Sequence, residues 1–337
     1  MRDAIRKLVD GENLSKSEAS LAMETIMEGS ATPAQIAALL VAMHIRGETA
    51  DEITGFAEVM RERAAAFPRV FDDLVDTCGT GGDRLNTFNI STAAAFVAAG
   101  AGVRIAKHGN RAMSSRCGSA DVLQSLDINI EMSPEAVADS IEAVGIGFLF
   151  AQRFHPSMKH AAAPRAEIGI RTVFNLLGPL TNPAGASRQV MGVYDGALTE
   201  VIAQVLSNLG SVHAFVVHGE SGIDEISLIG RTKITELKHG KITTEYLGPA
   251  DFGMETATVD DIRGGDTSLN RDILLRVLQG ESGHRRNIVV ANAAAAILAA
   301  DLAPTLAQAI HKAEVSIHSG AAFQRLKSLQ EFSALSA

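Results

Sequence analysis

Within the stretch Thr49–Phe67 the apolar residues Ile53, Phe56, Ala57 and Met60 fall at i, i+3, i+4 and i+7, the stripe of a helix that needs another helical face to cover it. Start signals stand at the matching offsets. Thr32, Pro33 and Gln35 supply an N-cap, a first-turn proline and a capping-box partner, Gly47 ends that helix, and Thr49 with Glu52 repeats the device. The first 68 residues therefore read as a small all-helical domain.

From about Val70 the pattern changes to short apolar runs, each ending in a Gly-rich or polar loop and followed by a helical stretch. The expected strands are Leu74–Thr77, Val103–Ala106, Ile146–Phe150, Val190–Val193 and Val212–Val217, with helices near Ser91–Ala99, Ala120–Leu126, Pro134–Val144 and Leu198–Leu209. Such alternation predicts an α/β domain over 69–337 with a central, largely parallel sheet. Thr232–Leu237 and Lys241–Tyr246, separated by Lys238-His239-Gly240, predict an appended hairpin. The Ala-rich segments Asn292–Ala300 and Pro304–Gly320 read as helices, and no fixed-period repeat is present.

Composition narrows the function classes. A chain of 337 residues favours two domains, and 46% hydrophobic with 20% charged residues can bury a large core, which removes disordered and fibrous classes. The formal charge of −9 repels a phosphate polymer, so no nucleic-acid partner is expected, and any anionic substrate must be held by local backbone and cation clusters. Only Cys78 and Cys117 are present, with no C-x-x-C pair, which fits a reducing cytoplasm. The charged N-terminus lacks an apolar signal core, and no stretch is long and apolar enough for membrane insertion.

Several strand ends carry chemistry. Asp76-Thr77-Cys78-Gly79-Thr80-Gly81-Gly82-Asp83 places three glycines in four positions after a strand, a backbone that can turn its N–H groups toward one anion. It matches neither the Walker nor the dinucleotide pattern, and a Gly cluster alone is a tight turn. The continuation Asn86-Thr87-Phe88-Asn89-Ile90-Ser91-Thr92 adds hydroxyls and an amide where a helix should begin, a second anion site, although Ser91 and Thr92 alone read as N-caps. After the next strand, Lys107-His108-Gly109-Asn110-Arg111 and Ser114-Ser115-Arg116-Cys117-Gly118-Ser119 gather cations, glycines and serines in an acidic protein. His108 is a base or donor candidate, or a structural histidine. Asp224 and Glu225, in a Gly-flanked loop after another strand, suit a magnesium ion bridging to substrate phosphates. Of Arg165 and Arg171, one could hold a planar carboxylate; residue chemistry leaves the choice open.

Taken in order, GTGGD, NTFNIST, KHGNR, SSRCGSADVL, FLFAQRFHPSMKH, RTVFNLLGPLTNPA and DEIS resemble the anthranilate phosphoribosyltransferase family of tryptophan biosynthesis, from about residue 3 to residue 330. The resemblance implies the fold of the pyrimidine-type nucleoside phosphorylases: a small helical domain, joined by helices from about 155–185 and forming a homodimer, beside a large α/β domain. It implies transfer of the 5-phosphoribosyl group of phosphoribosyl pyrophosphate to the amine of anthranilate. Gly79, Gly82, Asp83, Thr87, Asn89, Ile90, Ser91, Thr92, the run Lys107, His108, Gly109, Asn110, Arg111, Ala112, Met113, Ser114, Ser115, and Ser119 would surround phosphoribosyl pyrophosphate. Ser91 and Glu225 would share one magnesium ion, Asp224 and Glu225 a second, and Gly79, Asn110 and Arg165 would contact anthranilate. This chain departs from the family with Arg84 where Gly is frequent, Arg116 where Lys is usual and Gln152 where Pro is common. A pyrimidine nucleoside phosphorylase, the rival enzyme, would carry Lys-His-Ser-Thr-Gly-Gly where this chain has Lys107-His108-Gly109-Asn110-Arg111. A nucleic-acid-binding paralogue without transferase activity is disfavoured by the charge and by the intact DEIS and KHGNR.

Overall fold

The computed structural model of the protein describes residues 1–81, 85–112 and 116–336. Helices α1 (Arg2–Val9), α2 (Lys16–Met27), α3 (Pro33–Arg46) and α4 (Ala50–Glu62) form the N-terminal lobe. Reciprocal capping boxes open three of them, through Ser15 with Glu18, Thr32 with Gln35 and Thr49 with Glu52, which satisfies donors that a helix start would otherwise leave bare. Helix α4 ends at Glu62 and does not run on to Phe67. The Ala65 N–H leaves the helical ladder to donate to the Phe154 carbonyl at 2.8 Å.

The second region contains strands β1 (Leu74–Gly79), β2 (Arg104–Gly109), β3 (Ile146–Phe150), β4 (Arg188–Gly192), β5 (His213–Gly219), β6 (Thr232–Lys238) and β7 (Lys241–Leu247). They lie in the order β3-β2-β1-β4-β5-β6-β7, the first five parallel and the last two antiparallel. The α/β architecture with a helical lobe expected from sequence is thus present. The hairpin ladder extends one residue further than its apolar pattern, to Lys238↔Lys241, leaving a two-residue turn in which His239 and Gly240 both have positive φ, as a right-twisted hairpin requires.

Helices α5 (Ile90–Gly100), α6 (Ser119–Ser125), α7 (Pro134–Val144), α8 (Ala151–Phe154), α9 (Lys159–Ile168), α10 (Val173–Leu180), α11 (Leu198–Asn208), α12 (Thr267–Leu278), α13 (His284–Ala299), α14 (Leu306–His318) and α15 (Ala321–Leu335) complete the chain. Because side chains alternate along a strand, the sheet feeds two cores. Val190, Phe215, Val217 and Ile234 face the layer containing α5, α13 and α15, whereas Met191, Ala214, Val216 and Leu237 face α11 and the helical lobe. The lobe's buried cluster takes in Ala161 of α9 and Val173, Leu176 and Leu177 of α10, so these helices tie it to the sheet. Strand order reverses about β1, with β2 on one side and β4 on the other. In an open parallel sheet that reversal opens a crevice beyond the strands' carboxyl ends, where ligands bind.

Candidate active site

Three segments meet at that crevice. From β1, Thr80 N–H donates to the Gly192 carbonyl at 2.9 Å and Thr80 Oγ1 accepts from Tyr194 N–H at 3.1 Å, which lashes the loop to the end of β4. Gly81 N–H donates to Asp224 Oδ2 at 2.7 Å. From α5, Ser91 N–H donates to Glu225 Oε1 at 3.1 Å, so this carboxylate sits on a helix N-terminus, where the macrodipole favours negative charge. The adjacent acids after β5 therefore clamp the β1 loop and the α5 start respectively. Their own loop is held from behind: Ile226 N–H donates to Asn292 Oδ1 at 2.9 Å and the Ile226 carbonyl accepts from Asn292 Nδ2 at 3.0 Å.

Close packing here demands glycine. A Cβ on Gly79 would lie 2.4 Å from Asp224 Oδ2, and one on Gly192, its partner across β1 and β4, would lie 1.6 Å from the Asp224 carbonyl oxygen. The candidate metal donors are two carboxylates and the Ser91 hydroxyl, an all-oxygen set suited to a hard cation that keeps waters and borrows substrate phosphates. Among the described residues no group of three or more His, Cys, Asp or Glu could hold a metal alone. These residues fit magnesium held jointly with an anionic substrate.

Lys107 and Arg111, cations singled out by spacing, are both engaged by neighbouring groups of the fold. Lys107 is buried, and its Nζ donates to the Thr77 carbonyl and to Ser91 Oγ at 3.4 Å. Burial pushes its ammonium pKa down, opposed by Asp76 beside it. Arg111 donates from Nη1 to Asp121 Oδ1 at 3.2 Å and Gln124 Oε1 at 2.9 Å, and stacks over Phe150. Asp121 Oδ2 accepts from Ala112 and Gly118 N–H, both at 2.9 Å, and organises this loop; against the cost of burial, these contacts and Arg111 hold its carboxyl below the usual range. Asn110 Oδ1 accepts from Arg111 N–H at 2.8 Å and from Gln152 Nε2 at 3.4 Å, while its carbonyl accepts from Ser119 Oγ at 3.4 Å.

His108 is buried, with Nδ1 3.0 Å from the Gly178 carbonyl and Nε2 buried without a partner among the described residues. A carbonyl can only accept, so Nδ1 carries the proton and Nε2 is an open acceptor. Burial, reinforced by His155 with ring centroids 5.2 Å apart, pulls the His108 pKa down to about 3, and the ring is neutral. His155 donates to the Thr181 carbonyl at 3.0 Å, and burial lowers it to about 4.

Arg165, on α9, stacks its guanidinium 4.9 Å over Phe174, and burial lowers its pKa. Arg171 stacks 4.5 Å over Tyr194. Asn89 spends its side chain on the Cys117 carbonyl and on Asn270, at 3.1 Å each, rather than capping α5. Thr87 pairs with Arg263, Ile90 is core, and the Thr92 hydroxyl is buried without a partner among the described residues. Gly109, Ala112 and Ser119 are half-buried in the β2 loop and at the start of α6. Gly82, Asp83 and Arg84, with Met113, Ser114 and Ser115, lie outside the described residues. Sequence reasoning did not single out Asp76, Asp121, Asn182, Gln189 or Asn292. Their signal was a polar residue inside an apolar run: Gln189, on β4, is buried and donates to the Pro179 carbonyl at 2.7 Å.

A family model described as the glycosyl transferase family a/b domain matches residues 71–323, and one described as the helical bundle domain of the same family matches residues 2–64. The anthranilate phosphoribosyltransferase of Pelotomaculum thermopropionicum is 54% identical over 332 residues, 98% of this chain and 96% of that protein. Its counterpart from Moorella thermoacetica is 55% identical over 329 residues, 98% and 97% of the two chains. The crystal structure of the Thermus thermophilus enzyme superimposes with a TM-score of 0.93 at 43% identity, covering 98% of this chain and 99% of that one. The Saccharomyces cerevisiae enzyme in complex with phosphoribosyl pyrophosphate and magnesium gives 0.90 at 28% identity, covering 99% and 97%.

Proposed function

The chain belongs to the anthranilate phosphoribosyltransferase family, and on that ground we propose that it transfers the 5-phosphoribosyl group of phosphoribosyl pyrophosphate to the amine of anthranilate. The observation that carries this reading is the convergence of the β1 loop, the α5 N-terminus and the Asp224–Glu225 pair at the sheet's switch point. The products are N-(5-phosphoribosyl)anthranilate and pyrophosphate. The C1–O bond breaks with its electron pair leaving on pyrophosphate, the amine lone pair forms the C1–N bond, and the nitrogen then loses a proton.

An aniline-type nitrogen is neutral at pH 7, so the larger demand lies at the leaving group. The N-terminus of α5 turns its partial positive charge toward the diphosphate, which stabilises charge that grows as C1–O breaks. Two magnesium ions, one between Ser91 and Glu225 and one between Asp224 and Glu225, would add electrostatic stabilisation of that departing diphosphate. Arg165 recognises the anthranilate carboxylate, and its apolar stacking partner Phe174 fits an aromatic substrate. Gly79 and Asn110 complete that subsite, Gln152 orienting the Asn110 carboxamide. His108 is an accessory: neutral, with an open Nε2, it accepts a hydrogen bond from the amine without competing for a proton beforehand.

The exposed apolar side chains of Val9, Leu21 and Ile45 on the helical lobe support a homodimer formed through that lobe. No helix among the described residues is long and apolar enough to cross a membrane, and we place the enzyme in the cytoplasm. The deciding experiment follows loss of anthranilate fluorescence with phosphoribosyl pyrophosphate and magnesium. Consumption that requires all three components supports the reading; none, with folded protein, overturns it.

A further inference from the structure

The ladder between β1 and β2 stops after Leu74↔Arg104 and Val75↔Ile105, although β1 goes on pairing with β4 as far as Gly79↔Gly192 and β2 with β3 as far as Gly109↔Phe150. A sheet that parts along one seam leaves buried backbone donors and acceptors that must find other partners. Here side chains take them. On β2, His108 N–H donates to Asp76 Oδ1 at 3.1 Å, and the Ala106 carbonyl accepts from Asn182 Nδ2 at 2.8 Å. On β1, the Thr77 carbonyl accepts from Lys107 Nζ. Asn182 Nδ2 also reaches Asp76 Oδ2 at 2.8 Å, and its Oδ1 accepts from Ala184 N–H at 2.9 Å, which fixes the orientation of the amide.

Asp76, Lys107 and Asn182 are all buried. Burying a carboxylate and an ammonium costs several kcal/mol per ion before their attraction is counted, and apolar residues under an unbroken ladder are often the more stable solution. An unbroken ladder would, however, hold the two backbones about 4.8 Å apart as far as Gly79 and Gly109, whereas side chains inserted along the seam space them more widely where the loops start. The charged cluster stands where the seam opens.

We infer that Asp76, braced by Lys107 and Asn182, is a wedge that holds β1 and β2 apart at their carboxyl ends and so sets the width of the cleft between the two substrate loops. Asp76 is a positioning residue. It holds the His108 backbone directly, and through Asn182 it holds the segment whose Gly178 carbonyl takes His108 Nδ1. Its kinetic consequence rests on the phosphoribosyl-transfer reading; its geometric consequence does not.

Asp76→Asn tests the wedge with little change of shape. The new NH2 group must face either His108 N–H or the Asn182 amide, donor against donor in both cases. Three measurements are made: steady-state kinetics with each substrate varied and rates referred to folded protein, amide hydrogen exchange at His108, and both again for Asn182→Ala and the double variant. Folded Asp76→Asn is expected to lose about 10- to 100-fold in kcat/KM for both substrates, the scale of a misplacement of about an ångström. His108 exchange should rise at least about tenfold, with β4 amides unchanged, and the double variant should be little worse than the poorer single one because both act on one seam. Unchanged kcat/KM in folded Asp76→Asn, unchanged His108 exchange, or strictly additive losses would each overturn the wedge. If Asp76→Asn fails to fold, Asn182→Ala, which keeps the charge pair, carries the same expectations. A wild-type chain without turnover overturns the phosphoribosyl reading alone, and the wedge is then decided by exchange.

Discussion

Gly79→Ala separates the clamp on the β1 loop from the stability of the sheet. The added Cβ would lie 2.4 Å from Asp224 Oδ2, about 1 Å inside ordinary carbon contact. The obstacle is the end of a side chain, so the carboxylate swings away and the chain still folds. Moving it breaks the 2.7 Å bond from Gly81 N–H, a charge-assisted contact worth about 1.5–3 kcal/mol, and displaces a proposed magnesium ligand by a comparable distance. The expected outcome is a drop of about 100-fold in kcat/KM and a higher magnesium concentration for half-maximal rate, with a loss of at most about 3 kcal/mol in stability. Gly192→Ala is the control: its Cβ meets the Asp224 backbone oxygen at 1.6 Å, an atom that cannot turn away, so that variant should lose stability first. The assay is turnover against magnesium concentration beside thermal melting. If Gly79→Ala keeps the wild-type magnesium dependence, Asp224 does not act through that ion.

Arg165→Ala should raise the Michaelis constant for anthranilate about 10- to 150-fold, with phosphoribosyl pyrophosphate nearly unaffected and only partial rescue by Arg165→Lys; an effect from Arg171→Ala instead would transfer the role. Chelating divalent ions should abolish calorimetrically measured binding of phosphoribosyl pyrophosphate as well as turnover, and tight binding in excess chelator would refute shared coordination. His155 has a folded pKa of about 4, below its ordinary 6.5, so the stability from keeping it neutral is present above pH 6.5 and is lost as pH falls toward 4. Between those values His155→Gln should flatten the dependence of unfolding free energy on pH by up to about 1.4 kcal/mol per pH unit; parallel curves for variant and wild type would contradict this. Light scattering should give a mass well above one chain, and 35.5 kDa at micromolar concentration would refute the dimer.

What could be read from sequence was what local rules control. The capping boxes at Thr32 and Thr49 are written within four residues, and the ends of β3 and α7 coincide with their apolar patterns. Longer-range demands hid the rest. Strand β4 begins at Arg188, two residues before its apolar run, because Arg188 donates to the Ala299 carbonyl and Gln189 to the Pro179 carbonyl, partners remote in sequence. Helix α13 starts at His284, not Asn292; its first turn carries Arg285 and Arg286, cations at the end where the dipole disfavours them, so the usual start signal is inverted. At the site, motif spacing identified the loops but not their supports. Asp76 lies in a strand that reads as apolar, and Lys107, expected in the loop after Val103–Ala106, lies within β2, where its ammonium reaches the Thr77 carbonyl across the seam.

That cluster also bears on how an acidic protein accepts a polyanion. Asp76, Asp224 and Glu225 stand with Lys107 at one corner of the crevice, three carboxylates against one ammonium, and Glu225 is among the charges that act on Lys107. With all four ionised the corner carries two uncompensated negative charges, which one divalent ion neutralises. Burial nevertheless pushes the Asp76 carboxyl up to about 6 despite the pull of Lys107, so its ionised form is sustained by that ammonium and by the N–H donors of His108 and Asn182. Lys107 donates to the Thr77 carbonyl and Ser91 Oγ, and Arg111 to Asp121 and Gln124. With these cations engaged within the fold, and with the Thr80, Gly81 and Ser91 N–H groups given to Gly192, Asp224 and Glu225, bound metal ions would supply much of the countercharge to the diphosphate in the proposed reaction. On the proposed function, Asp224 and Glu225 would repel phosphoribosyl pyrophosphate by themselves, and magnesium held by them would offset that repulsion, making the metal a condition of binding as well as of leaving-group departure.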